Sequence, residues 1–141
     1  MFKPGVLQRR IVGELISRME KKGFNIVAIK LMRIPMEMAK IHYEEHREKS
    51  FFESLTNYIV SGPVIAMVLQ RENAITTLRK ICGATNPENA EMGTIRGDYA
   101  VSTERNIIHA SDSPESAKRE IGLFFKEEEI FPFEDGNEHW L

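Results

Sequence analysis

The chain has 141 residues, the length of about one domain. Apolar residues make up 42%, enough for a real core, and a formal net charge of −2 excludes a bulk basic field for holding a nucleic-acid backbone. No apolar run approaches the roughly 18 residues of a membrane span, no signal peptide is visible, and the single cysteine, Cys82, excludes an internal disulfide framework. The composition is that of a reduced, cytoplasmic, globular protein.

In chain order, residues 6–22 are predicted to form an amphipathic helix, with Ile11, Val12, Leu15, Ile16 and Met19 in one stripe and Gly23 ending it. Residues 25–32 read as a strand. Pro35 opens a second helix, in which Met38, Ile41, His42 and Glu45 share a face. A further helix is predicted from Phe51 to Val60, with Phe52, Leu55 and Ile59 inward, and Gly62-Pro63 breaks it. The continuously apolar run from Val64 to Leu69 reads as a strand covered on both faces. Glu72 to Ile81 reads as helix. The polar stretch from Gly83 to Asp98 has no periodicity and is predicted as a long functional loop. A strand through Ile107-Ile108 follows. A helix then starts at Pro114, with Ser113 as its cap. The tail after Phe125 is acidic and irregular.

With one more strand before Lys3, this order is the split β-α-β pattern of ferredoxin-like folds. The fold class is therefore α+β, an antiparallel sheet covered by helices, in a single domain spanning residues 1–141. Only Met1 and Phe2 precede Lys3, so the first strand is expected to be truncated.

The run Asn106-Ile107-Ile108-His109-Ala110-Ser111-Asp112-Ser113-Pro114 delivers a histidine to a strand end, immediately before a helix start. An imidazole held there can be a nucleophile or a proton carrier at neutral pH. In the following helix the apolar stripe is Ala117, Ile121, Phe124 and Phe125, and Glu120 sits on its margin. A carboxylate there needs a partner, and bonding to one imidazole nitrogen would leave the other free to attack. By pattern alone, a structural His109 beside an exposed Glu120 is equally consistent. Lys3, Arg79 and Arg96, with Thr85, could cradle a polyphosphate, although each alone reads as a surface charge. Of the pair Phe51-Phe52, one ring could be left exposed to stack on a nucleobase, or both could be core. His42 and His46 are four apart but lack a zinc-helix signature, and read as structural.

These residues resemble the nucleoside diphosphate kinases, over nearly the whole chain from Lys3 to about Trp140. The resemblance is most specific at Asn106 to Asp112 followed by Ser116-Ala117 and Glu120. Lys3-Pro4 with Gln8-Arg9, His42-Tyr43, Phe51-Phe52, Thr85-Asn86-Pro87 and Gly93-Thr94-Ile95-Arg96-Gly97-Asp98 match in the right order. The resemblance implies that His109 takes the γ-phosphoryl group of ATP or another nucleoside triphosphate. His109 would then pass it to a nucleoside diphosphate in a ping-pong cycle. Glu120 would orient the imidazole, with Ser111 nearby. Tyr43, Arg79, Thr85 and Arg96 would bind phosphates, with help from His46. Lys3 and Asn106 would hold the sugar hydroxyls and the transferring phosphate. Phe51, Leu55 and Thr103 would enclose the base. Asp112 would assist a magnesium ion (Mg2+) through water. The family assembles as homohexamers or, in some bacteria, tetramers.

Three departures stand out. The family's first strand is almost missing, so either the numbered chain starts late or the fold is altered at that edge, with consequences for Lys3. Gly5-Val6 replaces the usual Asp-Gly. Thr103 and Ala110 stand where valine and glycine are common. The competing expectation is a non-catalytic nucleotide-binding or scaffold member of the same fold. Such a protein would be expected to have lost His109, Glu120 or an arginine.

Overall fold

The computed structural model describes residues 1–141. Its one regular sheet pairs β1 (Asn25–Met32) with β2 (Val64–Gln70), antiparallel, placing Asn25 opposite Gln70 and Met32 opposite Val64. Both strands are rich in Val, Ile and Leu, which suit a pleated, partly buried surface. Their bounds match the sequence expectation to within a residue.

Beyond β2 the sheet continues through single residues. Phe2 bridges Ile65 on one side and Ile108 on the other, both antiparallel. The Phe2 N–H donates to the Ile65 carbonyl (2.8 Å), and the Ile65 N–H returns to the Phe2 carbonyl (3.2 Å). The Lys3 N–H donates to the Ile107 carbonyl, and the His109 N–H to the Met1 carbonyl, each at 2.9 Å. The order across the sheet is therefore β1, β2, Phe2, Ile108, which is the ferredoxin-like order. Hydrogen bonds tie residues 1–3 on both sides and so place Lys3. Phe2 is 0% exposed and anchors them by burial.

Two apolar cores lie in the fold. One gathers Phe2, Leu15, Met19, Phe24, Ile65 and Ile108, with the helices α1 (Val12–Lys21) and α4 (Ala74–Cys82) against it. The other gathers Ala28, Ala39, Tyr43, Ile59, Val64 and Phe124, under α2 (Met36–His42), α3 (Phe52–Val60) and α6 (Pro114–Phe124).

The elements depart from expectation in four places. Helix α1 begins at Val12 instead of residue 6, because the chain turns through residues 4–10 and Arg10 takes a left-handed φ of 58°. In α2 the buried residues are Ala39 and His42, and Ile41 is 54% exposed, so the inward face is rotated from the predicted one. The predicted loop 83–98 contains a 3-10 turn, Pro87–Asn89, and leads into a short helix, α5 (Ile95–Tyr99). Five residues with a glycine among them are too short to show periodicity. Instead the cap fixes α5: the Thr94 hydroxyl accepts from the Gly97 N–H at 3.0 Å.

The predicted strand at 107–108 is cut to the single bridge of Ile108 with Phe2, because a tight turn occupies residues 106–108. Ile107 has φ 73°, and the Ile108 N–H donates back to the Asn106 carbonyl at 2.8 Å. This is the sign and bonding of a strained γ-turn. Helix α6 starts as predicted, with Ser113 accepting from the Ser116 N–H and Pro114 in the first turn. The tail is pinned to β1 by the Phe131 N–H on the Val27 carbonyl (2.8 Å) and by the Lys30 ammonium on the Glu129 carboxylate (3.0 Å). No helix is long and apolar enough to cross a membrane.

Candidate active site

The γ-turn at Ile107 splits four neighbouring residues between core and cleft. Ile107 and Ile108 are buried, while Asn106 and His109 line a cleft of about 1210 Å³. A β-branched residue at positive φ costs free energy, and such strain is stored where the surrounding structure over-determines it. Here the constraint is Arg96, carried on α5. Its guanidinium donates to the carbonyls of Ile108 (2.6 Å), Gly83 (2.8 Å) and Asn106 (3.2 Å), so it clasps the turn from both sides.

His109 Nε2 lies 2.5 Å from Glu120 Oε2, and the Ser111 hydroxyl donates to the same oxygen at 3.2 Å. Glu120 is 9% exposed. Burial acts to raise its pKa, but the hydrogen bond and charge of His109, with the charge of His42 and the Ser111 hydroxyl, outweigh this, and the net shift is downward. Burial also holds the His109 pKa below the usual imidazole range, against the opposing pull of Glu120. The resting pair is a neutral imidazole beside a carboxylate. A carboxylate only accepts, so Nε2 carries the proton and the Nδ1 lone pair is left without a protein partner.

On the phosphate side, Lys3 Nζ donates to Asn106 Oδ1 at 2.6 Å, and Asn106 Nδ2 donates to the Thr85 carbonyl at 3.1 Å. Burial, with Arg96 nearby, lowers the Lys3 pKa to about 8. Arg79 reaches over to the Ala110 carbonyl (3.2 Å) and lines the cleft with Thr85 and Tyr43. Burial raises the Tyr43 phenol above its usual value. On the opposite wall, Phe51 is 48% exposed, with Leu55 beside it and Thr103 across the cleft. His46 lies between them, its ring 5.5 Å from Phe51 and 6.3 Å from Tyr43.

Almost every predicted site residue thus meets in one cleft, and the even choice at His109 falls to the oriented imidazole. Ser111 reaches the site only through Glu120 and lines an apolar slot behind it. Asp112 is exposed at the cleft rim, its Oδ1 accepting from Ser116 at 2.7 Å. That hydrogen bond holds its carboxyl below the usual range.

Ser116 and His42 stood in matched runs of the sequence but were given no role; Ser116 hydrogen-bonds Asp112. His42 and His46 do not work as a pair. His42 is buried with its ring 4.6 Å from that of His109, while His46 sits at the rim. The adjacency of His42 to Tyr43, in one of the matched blocks, was the available signal.

A neutral imidazole braced by a carboxylate, cations on one wall and an exposed aromatic ring on the other, all on a ferredoxin-like sheet, define a nucleotide phosphotransferase. The sequence pattern described as nucleoside diphosphate kinase matches residues 1–130. A nucleoside diphosphate kinase of Methanobrevibacter smithii is 59% identical over 134 residues, 95% of this chain and 89% of that protein. One from Archaeoglobus fulgidus is 55% identical over 141 residues, 100% of this chain and 93% of that protein. Among solved structures, the halophilic nucleoside diphosphate kinase of Halobacterium salinarum in complex with CDP superposes with a TM-score of 0.95 at 41% identity, covering 99% of this chain and 93% of that one. The chain belongs to the nucleoside diphosphate kinase family and is an enzyme that transfers phosphoryl groups between nucleotides.

Proposed function

We propose that this kinase works through a phosphohistidine at His109 Nδ1. The observation that carries the proposal is the 2.5 Å contact between His109 Nε2 and Glu120, which commits one nitrogen and frees the other. In the first half-reaction the Nδ1 lone pair attacks the γ-phosphorus of a nucleoside triphosphate. The bond from phosphorus to the β–γ bridging oxygen breaks, and the diphosphate leaves with that electron pair. The Nε2 proton stays shared with Glu120, which stabilises the positive charge developing on the ring. In the second half-reaction a terminal oxygen of another nucleoside diphosphate attacks the same phosphorus. The N–P bond breaks, and its electrons return to Nδ1.

The transferring group has a loose transition state, so positioning and charge neutralisation dominate catalysis. Lys3, Asn106 and Tyr43 hold the transferring phosphate and sugar, with Ser111 steadying Glu120. Arg79, Thr85 and His46 face the remaining phosphates. Arg96 has its nitrogens on backbone carbonyls, so its main part is to hold the phosphate wall in shape. Phe51 stacks on the base, with Leu55 and Thr103 beside it. Stacking does not read base edges, so one site serves all bases.

Magnesium, when bound to the phosphates, neutralises and orients them. An ionised, exposed Asp112, three residues from His109, suits an ion held mainly by substrate oxygens and water.

The enzyme is further proposed to be cytoplasmic, to need no nucleic acid, and to assemble as a homohexamer, with a tetramer as the alternative. Exposed Phe131, Phe133, Trp140 and Leu141 in the tail support an assembly contact, and native mass spectrometry decides its size. The catalytic reading is tested with γ-labelled ATP. The purified chain is expected to take an acid-labile label and to lose it to an unlabelled diphosphate, while His109→Asn takes none. A wild-type chain that binds ATP but stays unlabelled would overturn it.

A further inference from the structure

We propose that the pocket behind the nucleophile, formed by His42, His109 and Glu120, is a second site that takes a zinc-class divalent cation and thereby inhibits the enzyme. The first observation is His42 itself. It is 3% exposed, yet neither Nδ1 nor Nε2 has a hydrogen-bond partner. Its ring is enclosed by those of His109 (4.6 Å between centroids), Tyr43 (4.5 Å) and Phe124 (5.2 Å). A buried imidazole without a partner calls for an explanation, and an unfilled ion site is one. Burial, with the charge of His109 next, keeps this ring neutral, with its pKa lowered to about 3. A neutral imidazole is what a metal requires.

The second observation is geometric. One ligand atom each from His42, His109 and Glu120 lie within 4.8 Å of one another. Zinc bonds of about 2.0–2.2 Å set tetrahedral ligands roughly 3.3 Å apart, so the widest pair closes by roughly 1.5 Å. Two imidazoles and one carboxylate, with a fourth position open to water from the cleft, form a set that zinc accepts. Magnesium prefers oxygen ligands and octahedral geometry, so it stays with the phosphates. The cations around the triad oppose the ion: Lys3 and the N-terminal amine act on His109, and the Arg119 guanidinium lies 3.9 Å from Glu120 Oε1, which suits a site of regulatory and not structural strength.

Zinc takes the Nε2 lone pair of a neutral imidazole, so the ring's one proton is carried on Nδ1 and none is released. The ion also occupies the orienting carboxylate, and the protonated Nδ1 has no lone pair with which to attack. The inhibitory consequence rests on the phosphohistidine reading. Binding of the ion does not.

The test is a calorimetric titration of the full chain with zinc chloride, with and without excess magnesium. One zinc is expected per chain, without net proton release and unaffected by magnesium. His42→Phe is expected to weaken binding by more than about tenfold, since even groups one step removed from a metal cost that much. His139→Ala, in the exposed tail, is expected to keep it. His42→Gln serves if the phenylalanine variant does not fold. In parallel, zinc is expected to suppress labelling of wild type and His139→Ala and to spare the His42 variant that folds, which also controls for chelation of zinc by ATP. No zinc binding, or equal binding by the folded His42 variant, would overturn the proposal. A chain that binds zinc through His42 but takes no label even without the metal would sink the phosphohistidine reading and leave the metal site standing.

Discussion

At the scale of the residue, two buried groups set opposite ends of a pH profile. Burial keeps His109 neutral below the ordinary imidazole range, so the nucleophile survives as pH falls through 6.5 and the acid limb of activity lies lower. Lys3 carries its charge only below about 8, and above that pH the cation that meets the transferring phosphate is lost. The profile of kcat/KM is therefore expected to fall below pH 6.5 on one side and near pH 8 on the other. An alkaline limb in the ordinary lysine range, at about pH 10, would show that Lys3 is not that group. Glu120→Gln removes the charge that stabilises the developing imidazolium and permits the amide to donate to the wrong tautomer. A loss of about 10²-fold or more in kcat is expected with little change in KM, measured by steady-state kinetics. His109 and Glu120 were both legible as candidates because one sits after β-branched residues and the other on a helix margin. Their contact was one of two even readings by pattern, and only the fold, which closes an 11-residue separation to 2.5 Å, decides it.

At the scale of the element, α5 shows how a short segment without apolar periodicity can govern a site. Gly97 lies against the Glu91 carbonyl so closely that a Cβ would collide with backbone as well as with the Thr94 hydroxyl. Gly97→Ala is expected to push α5 outward, loosen the clasp of Arg96 on residues 106–108, and raise the nucleotide KM while lowering Tm. An alanine variant with wild-type KM and Tm would show that the turn holds without α5. Helix α6 is the contrasting case. Its cap, its proline and its stripe are all local signals, and it was predicted to the residue at its start. The strand assigned to Ile107-Ile108 is cut to one bridging residue for an instructive reason. β-branched residues favour extended backbone, but here a buried guanidinium ties the surrounding carbonyls and a γ-turn is imposed on Ile107.

At the scale of the whole molecule, Phe2 joins the parts. It lies between β2 and the turn that carries His109, and it is fully buried. Phe2→Ala is expected to cost about 3–5 kcal/mol in urea-induced unfolding, at the level of a large buried aromatic, and to impair phosphorylation of His109 through the backbone that Met1 and Lys3 hold. A loss below about 1 kcal/mol would mean that the sheet closes without it. By itself the sequence determined the chemistry available: which residues can be nucleophile, orienting acid, phosphate ligand and stacking ring, and which segments are strongly periodic. Those are properties of residue type and near-neighbour spacing. Only the tertiary structure decided that Lys3 is tied to the Ile107 carbonyl, that Arg96 donates to three backbone carbonyls, and that His42 lies unpartnered behind His109. Each of these depends on burial and on contacts between distant segments, for which local sequence carries no signal.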